Sequence, residues 1–286
     1  MANTALINDQ FYANFVTDAE FAAYETSVSR QLCRLFQIPM NAGKIAQVPI
    51  WGQGSAQLIT NEGAATARDT TSSEALITLK EHVYYSQVTD MLRDSAYGDV
   101  MAQLAEVSGR AIGESLDTMA FGEFSNFSSD IGSTTTELTT ELVLKAAATL
   151  RTAKVMGPYY AVVHPNAAFY MKKTLTQVLP YSAAIGLANP SNVGNQVMVS
   201  GVIGSIGGVT VIESPLVAAV TTGGATAYRC AVFAPSGLGI AERGGLSLTQ
   251  LYLPQSRATD MSVVAVAGAG VLQSTHGVAM TAEGTL

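Results

Sequence analysis

The chain has 286 residues, of which 48% are hydrophobic and only 13% charged, and it carries a net charge of −7 from 15 basic and 22 acidic residues. That charged share is about half the ~25% of an ordinary soluble protein, so a lone monomer is short of charge to cover its surface, and burial against something else is expected. Lipid is a poor candidate, since the longest apolar stretch, Val263 to Leu272, falls far short of the ~20 residues that span a bilayer. No basic run exceeds Lys172-Lys173, which argues against gripping a nucleic-acid backbone but not against facing one.

The opening Met1-Ala2-Asn3-Thr4 lacks the basic and apolar regions of a signal peptide, so cytoplasmic synthesis is expected. Cys33 and Cys230 then read as small buried hydrophobes of a reducing compartment.

Residues 1–16 hold Leu6, Ile7, Phe11, Tyr12, Phe15 and Val16, too aromatic for a disordered tail and too short for a core. They are read as an arm that docks on a neighbour. Thr17-Asp18-Ala19-Glu20 matches a capping box, and Phe21, Tyr24, Val28, Leu32 and Leu35 follow at helical steps, predicting an amphipathic helix that ends before Pro39. Lys44 to Trp51 alternates as a strand with Pro49 as an edge signal. A return segment, Glu74 to Tyr85, places Ile77, Leu79, Val83 and Tyr85 on one side. With Gly52 to Ser73 between them, the two predict a long ribbon whose support is another subunit, because an isolated hairpin is marginal in water.

Ser95 to Phe121 predicts a helix of about 27 residues, ~40 Å long, with a stripe of Tyr97, Val100, Leu104, Val107, Ala111, Leu116 and Met119. Gly98, Gly109 and Gly113 weaken it but permit close packing. A linker from Ser125 to Thr136 leads to a helix near Glu141 to Lys154 and a strand, Tyr159 to Val163. Pro165 then opens a helix running to about Val178. Pro180 to Gln196 reads as a loop-rich excursion and Val197 to Ile212 as strand, glycine-rich turn, strand. Pro215 to Ala227 reads as loop. Strands are predicted at Tyr228 to Ala234, Leu246 to Leu253, Met261 to Leu272 and Gly277 to Thr281.

Little in this order carries chemistry. His82, His164 and His276 are isolated, and none has a second histidine at ligand spacing, so no metal site is expected. The serine pairs Gly54-Ser55 and Gly204-Ser205 lack the G-x-S-x-G frame of a hydrolase, and Gly201 to Gly208 runs on into a strand rather than a phosphate-binding helix. Asp90, Asp94, Asp99, Glu106, Glu114 and Asp117 read as the solvated face of the long helix. Neither a catalytic residue nor a cofactor is expected. Glu62, Arg68 and Asp69 at the ribbon tip suit either solvated decoration or ion pairs between subunits, and with Phe11, Tyr12, Phe15 and Trp51 they form the predicted set of inter-subunit contacts.

The succession of arm, capped helix, ribbon, long helix, α/β unit and strand-rich end resembles the major capsid proteins of tailed bacteriophages, the HK97-like fold, over essentially the whole chain. Tyr159-Tyr160-Ala161-Val162-Val163-His164-Pro165-Asn166 is similar to that family's strand leading into a helix of the axial domain. Gly201-Val202-Ile203-Gly204-Ser205-Ile206-Gly207-Gly208-Val209-Thr210-Val211 is similar to its G-x-x-G…G-V-x-V hairpin. The resemblance implies an α+β chain divided into an N-terminal arm and helix (1–42), an extended β-hairpin E-loop with its return strand (43–85), a peripheral domain with the spine helix (86–155), an axial domain (156–230) and C-terminal strands completing both (231–286). It further implies hexamers and pentamers of one chain in an icosahedral virion capsid, built in a host bacterial cytoplasm. The implied partners are a scaffold, portal and decoration proteins and enclosed double-stranded DNA, with no membrane. The tip from Gly52 to Ser73 lacks lysine, so the covalent E-loop cross-link of some family members is not expected. An encapsulin-type compartment shell is the alternative, and a monomeric hydrolase the contrasting class.

Overall fold

A computed structural model describes residues 4–52, 54, 56–59, 67, 72–95, 100–177, 204–222 and 225–285. It opens with α1 (Thr4–Thr26), the one-turn α2 (Ser29–Leu32) and β1 (Arg34–Gln37). An antiparallel ribbon of β2 (Ile45–Trp51) and β3 (Ser72–Thr78) follows. Next, β4 (Lys80–Thr89) leads through the short α3 (Asp90–Ser95) to the long α4 (Val100–Gly122). Then come β5 (Ser129–Gly132), α5 (Thr140–Thr152), β6 (Tyr159–Val163) and α6 (Pro165–Gln177). The rest is strand: β7 (Ser205–Ile206), β8 (Val209–Glu213), β9 (Ala219–Thr222), β10 (Ala225–Phe233), β11 (Leu238–Glu242), β12 (Ser247–Leu253), β13 (Ala258–Val271) and β14 (Gly277–Glu283).

These strands build two larger sheets. In the first, the 14-residue β13 takes β4 along one edge and β12 then β11 along the other, with β1 parallel to β11 outside them. The second has seven strands in the order β5-β14-β10-β6-β8-β7, with β9 also on β10. Against this sheet lies the main core, where Phe121, Phe124, Phe127 and Phe233 pack with ring centroids 5.5–6.3 Å apart. The hydroxyl of Thr139 caps α5 by accepting from the Leu142 amide, and Gly207 and Gly208, both at positive φ, make the β7–β8 turn.

One face of the first sheet is covered by α4, and α1 lies against α4. Met261, Val263, Ala265 and Ala267 of β13 meet Ile112 and Leu116 of α4 and Phe15 of α1 in a second core. The buried face of α4 is Ala105, Ser108, Gly109, Ile112, Gly113, Leu116, Asp117, Ala120 and Phe121. It is rotated from the predicted stripe, because α1 approaches closely enough to require glycine. A Cβ on Gly109 would strike the Ala19 carbonyl, and one on Gly113 the Ala23 carbonyl.

Four expectations are corrected. Residues 4–16, read as an arm ahead of a separate helix, are the first turns of α1, which runs unbroken through the supposed capping box. Its buried face is Phe15, Ala19, Ala22 and Ala23, while Phe21 and Tyr24, expected inside, are exposed. The ribbon root is supported by its own chain, with Ala75, Ile77 and Leu79 buried against Ala241 and Leu272. Finally, the return segment breaks at Leu79: odd residues point inward in β3, even ones in β4, so Val83 and Tyr85 face out. β1, β5 and β9 also lie where helix, linker and loop were expected, and β11 and α3 add elements to segments given none.

Candidate assembly surfaces

The ribbon has two unlike faces. Ala46, Val48 and Ile50 of β2 join Ala75 and Ile77 of β3 over the first sheet. On the opposite face, the register sets Ile45 beside Thr78, Gln47 beside Leu76, Pro49 beside Glu74 and Trp51 beside Ser72. Trp51 is 66% exposed, and Leu76 and Ile45 just over half exposed. Around Trp51 lies an open groove of about 480 Å³ lined by Gln47, Pro49, Ser72, Ser73 and Glu74. An indole, a leucine and an isoleucine in water on one narrow ribbon form a surface that gains free energy when covered.

The outer face of the first sheet is half covered by this ribbon. Its root sits over Val266 and Leu272 and over Gly268 and Gly270, whose missing side chains make room for Thr78 and Ile77. Among the described residues the other half is uncovered: Val83 and Tyr85 of β4 and Leu251 of β12 are each more than half exposed. They flank Val264, Ser262 and Asp260 of β13, across from Val83, Tyr85 and Leu251 respectively. Asp260 accepts from Gln87 Nε2 at 2.8 Å and from the Tyr85 hydroxyl, which pushes the phenol above its ordinary value.

At the end of this sheet, the corner between α3 and the β12–β13 turn is rigidly tied. Asp90 accepts from the Tyr252 hydroxyl at 2.9 Å, its amide donates to the Arg257 carbonyl, and Arg257 Nε lies 4.0 Å from its carboxylate. Met91, Leu92 and Tyr252 are held exposed around it.

The expected contact residues divide three ways. Trp51 lies on the exposed ribbon face. Phe15 is buried inside its own chain and is withdrawn from the inter-subunit set, since an aromatic side chain on α1 fills the gap left by small residues. Phe11 and Tyr12 stand on α1 with their side chains outside the described residues, and Glu62, Arg68, Asp69, Tyr97 and the excursion from Pro180 to Gln196 lie wholly outside them.

Asp117, expected on a solvated face, is 1% exposed. Its carboxylate accepts from Ser29 Oγ at 2.6 Å, Ser27 Oγ at 2.8 Å, the Val28 amide at 2.9 Å and the Ser29 amide at 3.0 Å. The signal for this was present: Gly109, Gly113 and Asp117 are four residues apart and share one helix face.

All three histidines join elements: His82 Nδ1 meets Ser115 Oγ of α4 at 2.7 Å, His164 Nδ1 accepts from the Asn166 amide and its ring stacks on Tyr228, and His276 Nδ1 meets Ser236 Oγ at 2.8 Å. Burial lowers the pKa of each, foremost by desolvation. Burial pushes the Cys230 thiol up to about 12 and raises that of Cys33, so both rest as inert thiols. Among the described residues no group of His, Cys, Asp or Glu could hold a metal, and no helix is long and apolar enough to cross a membrane.

The described residues thus form a helix-backed sheet with a projecting ribbon and exposed apolar faces. The sequence matches the family model described as phage capsid protein over residues 73–279, and the chain belongs to that family, whose members are structural and not enzymes. Its fold is HK97-like. Against the capsid of cyanophage P-SCSP1u the TM-score is 0.67 at 15% identity, covering 91% of this chain and 89% of the other. The capsid of Ralstonia phage GP4 gives 0.65 at 12% identity, covering 91% and 92%. That of Helicobacter pylori bacteriophage KHP30 gives 0.66 at 11%, covering 88% of each. No curated protein matches the sequence.

Proposed function

We propose that this chain is the major capsid protein of a tailed-phage head, assembling as hexamers and pentamers into an icosahedral shell around double-stranded DNA. The observation that carries this reading is the exposure of two apolar surfaces on one chain, the outward ribbon face with Trp51 and the half-sheet with Val83, Tyr85 and Leu251. Each is too apolar to stay wet in a chain already poor in charge, and the ribbon of one copy laid on the sheet of the next covers both. The tied corner with Met91, Leu92 and Tyr252 adds a further contact between copies. The net charge of −7 suits a wall that faces DNA without gripping it. With no lysine from Gly52 to Ser73, the shell is held without covalent ribbon cross-links.

Negative-stain imaging of the purified protein tests this. Closed angular particles are expected from the wild type, and far fewer from Trp51→Ala. A fully monomeric wild type at high concentration would overturn the proposal. Particles from the native source that enclose protein cargo in place of DNA would move it to a compartment shell.

A further inference from the structure

Strand β4 carries a long open edge. All ten of its residues, Lys80–Thr89, pair with β13, and among the described residues no strand takes its other edge. In an antiparallel pair half of a strand's amides and carbonyls point away from the partner, so this edge offers water a row of main-chain donors and acceptors. The other outer strands are short or guarded. β1, β5, β7 and β9 have four residues or fewer. β2 carries Pro49 and β3 carries Glu74, and at the start of β12 the Leu246 amide is already taken by Glu20 of α1. Brevity, proline, charge and cover are the devices that keep a sheet edge from pairing.

Most of β4 lacks them. From Val83 to Thr89 it has no charged residue, no proline and no glycine, and Val83, Tyr84, Tyr85, Val88 and Thr89 all favour strand. Its two charges, Lys80 and Glu81, stand at the ribbon end. Copies of a chain with a net charge of −7 repel one another, so an uncharged edge is a place where two of them meet closely at least cost.

We propose that β4 pairs edge to edge with β4 of a second copy, antiparallel about a two-fold axis normal to the sheet and centred on Ser86. The pairing goes beyond the shell reading above and draws on it for one condition, that every copy presents the same side outward. An axis normal to the sheet meets that condition and makes the contact self-complementary. Centring on Ser86 uses the whole uncharged stretch: Val83 lies opposite Thr89, Tyr84 opposite Val88 and Tyr85 opposite Gln87 of the second copy. A centre one residue to either side brings Glu81 opposite Thr89 or Asp90 opposite Tyr84. The two five-stranded sheets then become one.

Single cysteines test this, because the chain's own Cys33 and Cys230 are buried. Directly opposed residues hold their Cβ atoms about 4.5–5.5 Å apart, close enough for a disulfide after a small shift. Ser86→Cys is therefore expected to give a covalent dimer on mild oxidation, at least tenfold more than Val83→Cys, whose two copies lie roughly 20 Å apart across the axis. Hydrogen exchange of the wild type over residues 83–89 should slow at least tenfold on assembly. A folded Ser86→Cys protein that yields no dimer, or Val83→Cys yielding as much, overturns the pairing, and so does unchanged exchange. Slowed exchange without the dimer gives the edge to another strand and overturns it equally. Should Ser86→Cys misfold, a mixture of Val83→Cys and Thr89→Cys proteins, which the register sets opposite each other, decides in its place. A strand pair needs no closed shell, so the cross-link is read in free protein as well, and its outcome stays distinct from a failure of the wild type to form particles.

Discussion

Asp117 and the three histidines show how single side chains hold this fold without taking part in any reaction. Replacing Asp117 by Asn keeps the shape but turns an amide N–H₂ toward donors that need an acceptor. The expected loss is about 2–4 kcal/mol, read as a lower urea midpoint of the unassembled protein. The histidines set an acid limit. Each has its folded pKa below the unfolded value of 6.5, so the unfolded chain takes up protons that the folded chain refuses. Their contribution is fully present above pH 6.5 and declines as the pH falls toward the lower folded values. A thermal midpoint measured at about pH 7.5 and again at about pH 5.5 should fall on acidification. The fall should be smaller in His82→Gln, which removes a titrating group beside Lys80 and keeps a partner for Ser115.

At the scale of elements, the ribbon makes the sharpest contrast, because neighbouring residues of β3 face opposite ways. Ile77 is fully buried in the root, whereas Leu76 is 54% exposed on the outward face. Ile77→Ala is expected to cost about 2–4 kcal/mol of stability in chemical denaturation. Leu76→Ser should leave stability within about 0.5 kcal/mol yet reduce the yield of closed particles in sedimentation. The same parity turns Val83 and Tyr85 to the face opposite the one that unbroken alternation predicts. Period-two alternation specifies which residues share a face only while a strand is continuous, and the break at Leu79 exchanges the faces.

For the whole molecule, the proposed reading predicts that stability and assembly separate, since the two sheets bury their cores within one chain while the ribbon face, half-sheet and α3 corner are exposed in it. A triple change of Trp51, Tyr85 and Leu251 to serine is expected to give a folded protein with a native denaturation midpoint that sediments as small species at concentrations where the wild type forms shells.

Much of this was legible from residues alone. Strand β6 and the start of α6 follow from a run of β-branched and aromatic residues ended by His164-Pro165, where proline tolerates only the first helical turn. The ribbon strands, α5, β12, β13 and β14 follow from alternation or periodicity in the same way. What the sequence could not decide was which surface each element meets. Nothing local tells that α1 lies parallel to α4 on alanine and glycine, that Phe15 turns inward while Phe21 turns out, or that Asp117 is buried under Ser27 and Ser29. Those outcomes depend on contacts between residues about 90 positions apart, and burial there is set by where a distant helix docks rather than by the polarity of the side chain itself.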